Sequence, residues 1–133
     1  MSKMFVILSH TLTEDQKKDA MHTLGVSEFI LLKDVNPELQ EKVSNFDPEL
    51  STDDVYDLAF EVYNTITEVN PLFVCMQGEA GLQFLVWTII TSAENRHIII
   101  AQSTTKRTSV DILQPDGTVK KVSEFKHIQW RLY

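Results

Sequence analysis

Apolar residues along this chain fall into two rhythms, short unbroken runs and longer stretches that repeat every three or four positions. Met4-Phe-Val-Ile-Leu8 and Leu72-Phe-Val-Cys-Met76 are continuous runs of strand length, each running into a polar loop and then a helix. Between them, Thr13-Glu-Asp-Gln16 has the form of a capping box. It predicts a helix running to Leu24, with Ala20, Met21 and Leu24 on one side and Gly25 ending it. Phe29 to Leu32 reads as a second short strand. Residues 33–50, polar and carrying Pro37 and Pro48, read as a loop with one helical turn at most. Ser51 can cap the next helix, whose inward face is Val55, Leu58, Ala59, Val62, Ile66 and Val69. Asn70-Pro71 stops it, since a residue before proline avoids helical angles.

The second half continues the alternation and then changes style. A helix from Gly81 turns Leu82, Leu85, Val86, Ile89 and Ile90 inward, and His97 to Ala101 gives a fourth strand ending in the polar run Gln102 to Arg107. Val110, Ile112, Val119 and Val122 then flank Gln114-Pro-Asp-Gly117, good chemistry for a tight turn between antiparallel strands. Phe125 to Tyr133 reads as a last strand carrying His127 and Arg131 on alternate positions. Strands alternating with helices predict an α/β fold: a mainly parallel sheet flanked by helices, with a C-terminal antiparallel β-hairpin. The 133 residues fit one domain, 1–133. Open sheets of this kind bind ligands beyond the carboxyl ends of their strands. The polar segments after Leu8 and after Met76 therefore border a pocket if those two strands are neighbours.

Composition narrows the setting. Cys75 is alone within an apolar strand, so it reads as a small buried hydrophobe and no disulfide can form within the chain; a reducing cytoplasm is expected. No segment has the pattern of a secretion signal. The longest apolar stretch, Leu82 to Ile90, is too short to cross a bilayer, so no membrane partner is expected. The net charge of −7 is unevenly spread: residues 1–100 hold 6 basic and 16 acidic side chains, net −10, whereas residues 101–133 hold 6 basic and 3 acidic, net +3. An acidic body argues against long nucleic acid, whose affinity rests on many phosphate contacts, but leaves room for a small anion near the basic tail.

Two loops carry the candidate chemistry. Gln77-Gly-Glu-Ala-Gly81 joins a strand to a helix whose first amides are unpaired and whose dipole favours anions, so it can cradle a phosphate. It has neither the length and lysine of a Walker loop nor the glycine spacing of a dinucleotide fingerprint. Glu79 would repel a phosphate; it reads as a helix cap or as an acceptor for a ribose hydroxyl or adenine amine. In Ser9-His10 the histidine can move a proton or donate to phosphate. No local acid completes a hydrolase triad with Ser9. The four histidines show no ligand spacing, which argues against a zinc site, and Asp53, Asp54 and Asp57 read as a solvated helix start. Lys106, Arg107, Lys126 and Arg131 are cations for phosphate, arginine as a fork and lysine as a point charge. Trp130 reads as core.

The ordered set Ser9-His10-x-Leu12-Thr13, Gln77-Gly78-Glu79-x-Gly81, Arg107 with the Pro-Asp-Gly hairpin, and Phe125-Lys126-His127 with Arg131 and Tyr133 resembles a small Csx-type family of CRISPR-associated proteins from type III systems. Members look like pared-down CARF (Rossmann-like) sensor domains, and the likeness spans residue 4 to the end. The resemblance implies a homodimer holding cyclic oligoadenylate, the four-nucleotide ring, across its two-fold axis. It also implies ring nuclease activity that switches off antiviral signalling, with neither metal nor cofactor. It would make His10, Arg107 and Ser9 the catalytic group. Gln77, Gly78, Glu79, Gly81, Lys106 and His127 would bind substrate. Two other readings stay open: a sponge or sensor that holds the ring uncut, and a flavodoxin-shaped interaction domain with no nucleotide. A response regulator fits poorly, because no aspartate ends either strand at residue 9 or 77.

Overall fold

A computed structural model of the chain describes residues 2–92 and 97–133. The elements run β1 (Ser2–Ile7), α1 (Glu14–Thr23), β2 (Val26–Leu31), α2 (Leu32–Val35), α3 (Pro37–Ser44), α4 (Thr52–Val69), β3 (Phe73–Met76), α5 (Ala80–Ser92), β4 (Ile99–Leu113) and β5 (Val119–Leu132). The strands form one mixed sheet in the order β2-β1-β3-β4-β5. β1 pairs in parallel with both β2 and β3, β3 pairs in parallel with β4, and β4 and β5 are antiparallel. The fold is thus α/β, flanked by helices, with a C-terminal antiparallel hairpin.

Alternation along the strands sends side chains to two cores. Phe5, Ile7, Val74, Met76 and Ile100 pack under α2 to α5, against Leu39, Val62, Ile66, Leu82 and Val86. Met4, Val6, Phe73, Cys75 and Ala101 face the other way, against Ala20 of α1 and Trp130 of β5. Both faces of the parallel strands are covered, which is why β1 and β3 read as unbroken apolar runs. Burial pushes the Cys75 thiol up to about 12, so it is a packing residue rather than a nucleophile at neutral pH. No described helix is long and apolar enough to cross a membrane.

The expected helix signals are realised. Thr13 and Gln16 form the reciprocal capping box of α1, and Ser51 and Asp54 form that of α4. Gly25 sits at φ +70, and Asn70 ends α4 in the left-handed region at φ 52.

Three expectations need correction. Residues 33–50 are not mainly loop: Asn36 caps Leu39, Pro37 occupies the first helical position, and Leu39 and Val43, one turn apart, enter the core to make α3. β2 begins at Val26, three residues before the expected Phe29, and Leu32 already belongs to α2. The polar run 102–107 does not end β4, which continues for 15 residues and pairs with a β5 of 14. Hydrogen bonding to β5 holds that run extended, with Gln102 to Thr104 half-buried and Thr105 to Arg107 exposed. Within this ribbon Gln129 pairs with Thr104 but His127 with Thr105, so Ile128 is bulged out. The bulge puts His127 on the same side as Trp130, toward α1, and leaves Arg131 facing the opposite side; simple alternation had put the two together.

Candidate functional site

The carboxyl ends of β1 and β3 lie side by side. Ile7 pairs with Met76, and the Gln77 amide donates to the Ile7 carbonyl at 3.1 Å. This is the point where the order of strands reverses, so the connections leave toward opposite faces and open a crevice. Ser9, His10, Gln77, Gly78 and Glu79 border that crevice together with the end of α3, around a cavity of about 610 Å3. A second cavity, about 420 Å3, continues from His10 and Gln77 to Thr105, Phe125 and His127 of the hairpin. A third, about 170 Å3, runs from Ser9 and His10 to Lys33, Gln40 and Ser44. His10 borders all three.

His10 is exposed, and its Nδ1 lies 3.0 Å from the Thr11 carbonyl. Nδ1–H donates there, which directs Nε2 outward as a base when neutral and as a donor when protonated. Ser9 and Gln77 are exposed beside it. Gln40 Nε2–H donates to the Leu8 carbonyl at 3.2 Å and to Ser44 Oγ at 2.6 Å, pinning α3 against the end of β1.

Around the glycine loop the phosphate cradle expected from the sequence is filled by the chain itself. Glu79 Oε2 accepts the Leu82 amide at 2.8 Å and caps α5, and Gln83 Oε1 accepts the Gly78 amide at 3.2 Å. The carboxylate already neutralises the helix dipole. A Cβ on Gly81 would sit 3.1 Å from Glu79 Oε2, so this glycine makes room for the cap. The same Cβ on Gly78 would meet nothing closer than 3.8 Å. Gly81 therefore acts as a structural residue, Glu79 serves as cap and rim at once, and Gln77 is the part of the loop left free to reach a ligand.

The basic candidates do not gather at His10. Arg107 borders none of the three cavities; its Nε and Nη2 donate to Ser123 Oγ at 3.3 and 3.1 Å, and the guanidinium lies 5.7 Å from the Phe125 ring centre. It shares the hairpin face of Thr105 and His127, one pair further out. Lys106 and Lys126 point from the opposite face into a shallow cleft with Glu124 and Asp15. Lys33 is the cation beside Ser9 and His10, and it makes no ion pair among the described residues. Its place at the end of β2 was hidden by reading residues 33–50 as loop.

His127 borders the second cavity, but both of its ring nitrogens are engaged within the chain. Its side chain is 4% exposed, Nε2 is 2.7 Å from Asp19 Oδ2, and Nδ1 is 2.7 Å from Ser103 Oγ. One assignment satisfies every group: Gln16 Nε2–H donates to Ser103 Oγ, the Ser103 hydroxyl donates to Nδ1, and Nε2–H donates to Asp19. Trp130 Nε1–H closes the bracket on the Gln16 carbonyl at 3.1 Å. This Asp–His–Ser chain resembles a nucleophile relay, but Ser103 borders no cavity that His10 borders. It fastens α1 to the base of the hairpin. Asp19 and His127 are 108 positions apart, and no local pattern joins them.

No solved structure matches the chain significantly. Uncharacterized protein MJ1673 of Methanocaldococcus jannaschii is 35% identical over 133 residues, an alignment covering 100% of this chain and 98% of the relative. The family model described as the Uncharacterized protein MJ1673 family matches residues 2–131. The chain therefore belongs to the Uncharacterized protein MJ1673 family.

Proposed function

We propose that this protein is a cytoplasmic, CARF-like ring nuclease that binds cyclic oligoadenylate, the four-nucleotide ring, and linearises it to end type III CRISPR signalling. The observation that carries the proposal is the convergence of Ser9, His10 and Gln77 on one crevice at the β1/β3 reversal. A crevice of about 610 Å3 suits a ligand of ordinary size, so a four-nucleotide ring exceeds one copy. That is the reason to propose a homodimer with the ring shared between two crevices.

The reaction needs orientation more than exotic groups. A ribose 2′-oxygen attacks the adjacent phosphorus, the bond to the 5′-oxygen breaks, and a 2′,3′-cyclic phosphate forms. The proton lost by the 2′-hydroxyl is balanced by the one delivered to the 5′-oxygen. In this proposal His10 supplies that proton or stabilises the phosphate charge, and Ser9 and Gln77 hold the ring in line. Lys33 offsets phosphate charge from within the same copy. Arg107 clamps phosphate from the hairpin once its guanidinium leaves Ser123.

The test is incubation with labelled cyclic tetra-adenylate in EDTA. Linear products ending in 2′,3′-cyclic phosphate are expected. His10→Ala should slow single-turnover cleavage by about 10²–10⁴-fold, and Arg107→Ala should slow it as well, both chains staying folded. Unchanged rates in both variants discard the assignment. A sponge is the second reading, favoured by the engagement of both His127 nitrogens and of Arg107 within the chain, which leaves His10 as the crevice histidine, among the described residues, with a ring nitrogen free. Intact ring retained on the protein would select it. No binding of any cyclic oligoadenylate would select an interaction domain.

A further inference from the structure

Beyond Ala101 the β4–β5 ribbon leaves the rest of the sheet. β4 meets β3 only at Ile99 and Ile100, and from Thr105 to Leu113 every β4 residue is exposed. About nine residues at roughly 3.4 Å each give an arm of about 30 Å with water on both faces. Two strands alone are marginal in water and need something to cover them. The arm also carries apolar side chains where a free ribbon would carry polar ones: Phe125 is 68% and Leu113 73% exposed, with Val110, Ile112 and Val119 between Phe125 and the turn. It carries Lys106, Arg107, Lys120, Lys121 and Lys126 against Asp111, Asp116 and Glu124, net +2, on a chain whose first 100 residues carry net −10.

The body presents a matching surface. Asp47, Asp54, Asp57 and Glu61 border a groove of about 490 Å3 between the end of α3 and the start of α4; Lys42 on its rim pairs with Glu61 at 3.5 Å, and Asp54 also accepts the Ser51 amide. Tyr56 and Phe60, both about half exposed and one turn apart, lie on another face of α4 and do not line the groove. Carboxylates set beside Leu50 and Leu58 suit a ribbon of lysines flanked by aliphatic side chains.

We infer that the β4–β5 arm is a clasp that lies in the acidic α3–α4 groove of a second copy of this chain. Two copies exchange arms, each giving one and receiving one, which closes the assembly at two. Packing of one arm on another is disfavoured because both are basic. An arm about 30 Å long and about 10 Å wide covers about 300 Å2. Two clasps, counted on both partners, bury about 1,200 Å2, the lower end of stable interfaces. The inference extends the paired-subunit element of the proposed function by naming its surface.

Sedimentation of the full chain at tens of micromolar tests it. A particle of twice the 15.3 kDa chain mass is expected, weakening in high salt. Lys120→Glu/Lys121→Glu on the arm and Asp47→Lys/Asp57→Lys on the groove should each give monomers, and mixing the two should restore the dimer. If the arm-reversed chain fails to fold, the groove-reversed chain still decides, because it must be monomeric. A monomeric wild-type chain, or a dimer indifferent to groove reversal, overturns the inference. The readout is mass, so it can fail while ring cleavage stands, and cleavage can fail while it holds.

Discussion

The parallel part of the sheet and the arm are built on opposite terms. β1 from Met4 onward and all of β3 bury both faces, so those side chains are fixed by packing. The arm buries neither face beyond Thr105 and is held by the ladder, by the Gln114–Gly117 turn and by the His127 bracket at its base. The first region supplies stability and sets the crevice rim to within a hydrogen bond. The second supplies exposed area and charge, which is of use only against another molecule. His10 lies where the two meet.

That contrast can be broken at its strongest point first. Phe5 is fully buried in the larger core, and Phe5→Ala should cost about 3–5 kcal/mol in urea unfolding. A loss under 1 kcal/mol would mean that the body is not the stable half. His127→Ala should cost about 2 kcal/mol, because it strands Asp19 and Ser103 together, and should raise amide exchange along β5. Unchanged exchange in the arm would show that the bracket holds nothing. Glu79→Ala should cost about 1 kcal/mol as α5 loses its cap, and should strengthen anion binding at the crevice by removing the nearest like charge. Calorimetry with a mononucleotide checks the second half of that statement. Smallest of all, Leu113→Ala at the arm tip should change unfolding by less than about 0.5 kcal/mol under monomeric conditions.

What could be read from the sequence was local or periodic. Thr13–Gln16 and Ser51–Asp54 are capping pairs three residues apart, and the structure forms both. The two apolar runs predicted strands, and the turn predicted from Pro115-Asp116-Gly117 has Gly117 at φ +85 with Asp116 accepting from Thr118. Asp116 is held below the usual carboxylate range by that same contact. Hidden features depend on partners distant in sequence. α3 was masked by polar residues, since only Leu39 and Val43 announce its buried side. The length of β4 depends on pairing with β5, and the Ile128 bulge that separates His127 from Arg131 leaves no mark in composition. At the crevice, Ser9, His10 and Gln77 were legible because strand ends are legible. Lys33 and the Asp19–His127 pair were not, because each is brought in by the fold.

Amide hydrogen exchange with and without cyclic tetra-adenylate tests the crevice most directly. Protection should concentrate on residues 8–11 and 77–79, with a weaker effect at Lys33 and around Thr105. Protection confined to the arm or to the outer face of α4, with the two strand ends unchanged, would contradict a site at the β1/β3 reversal.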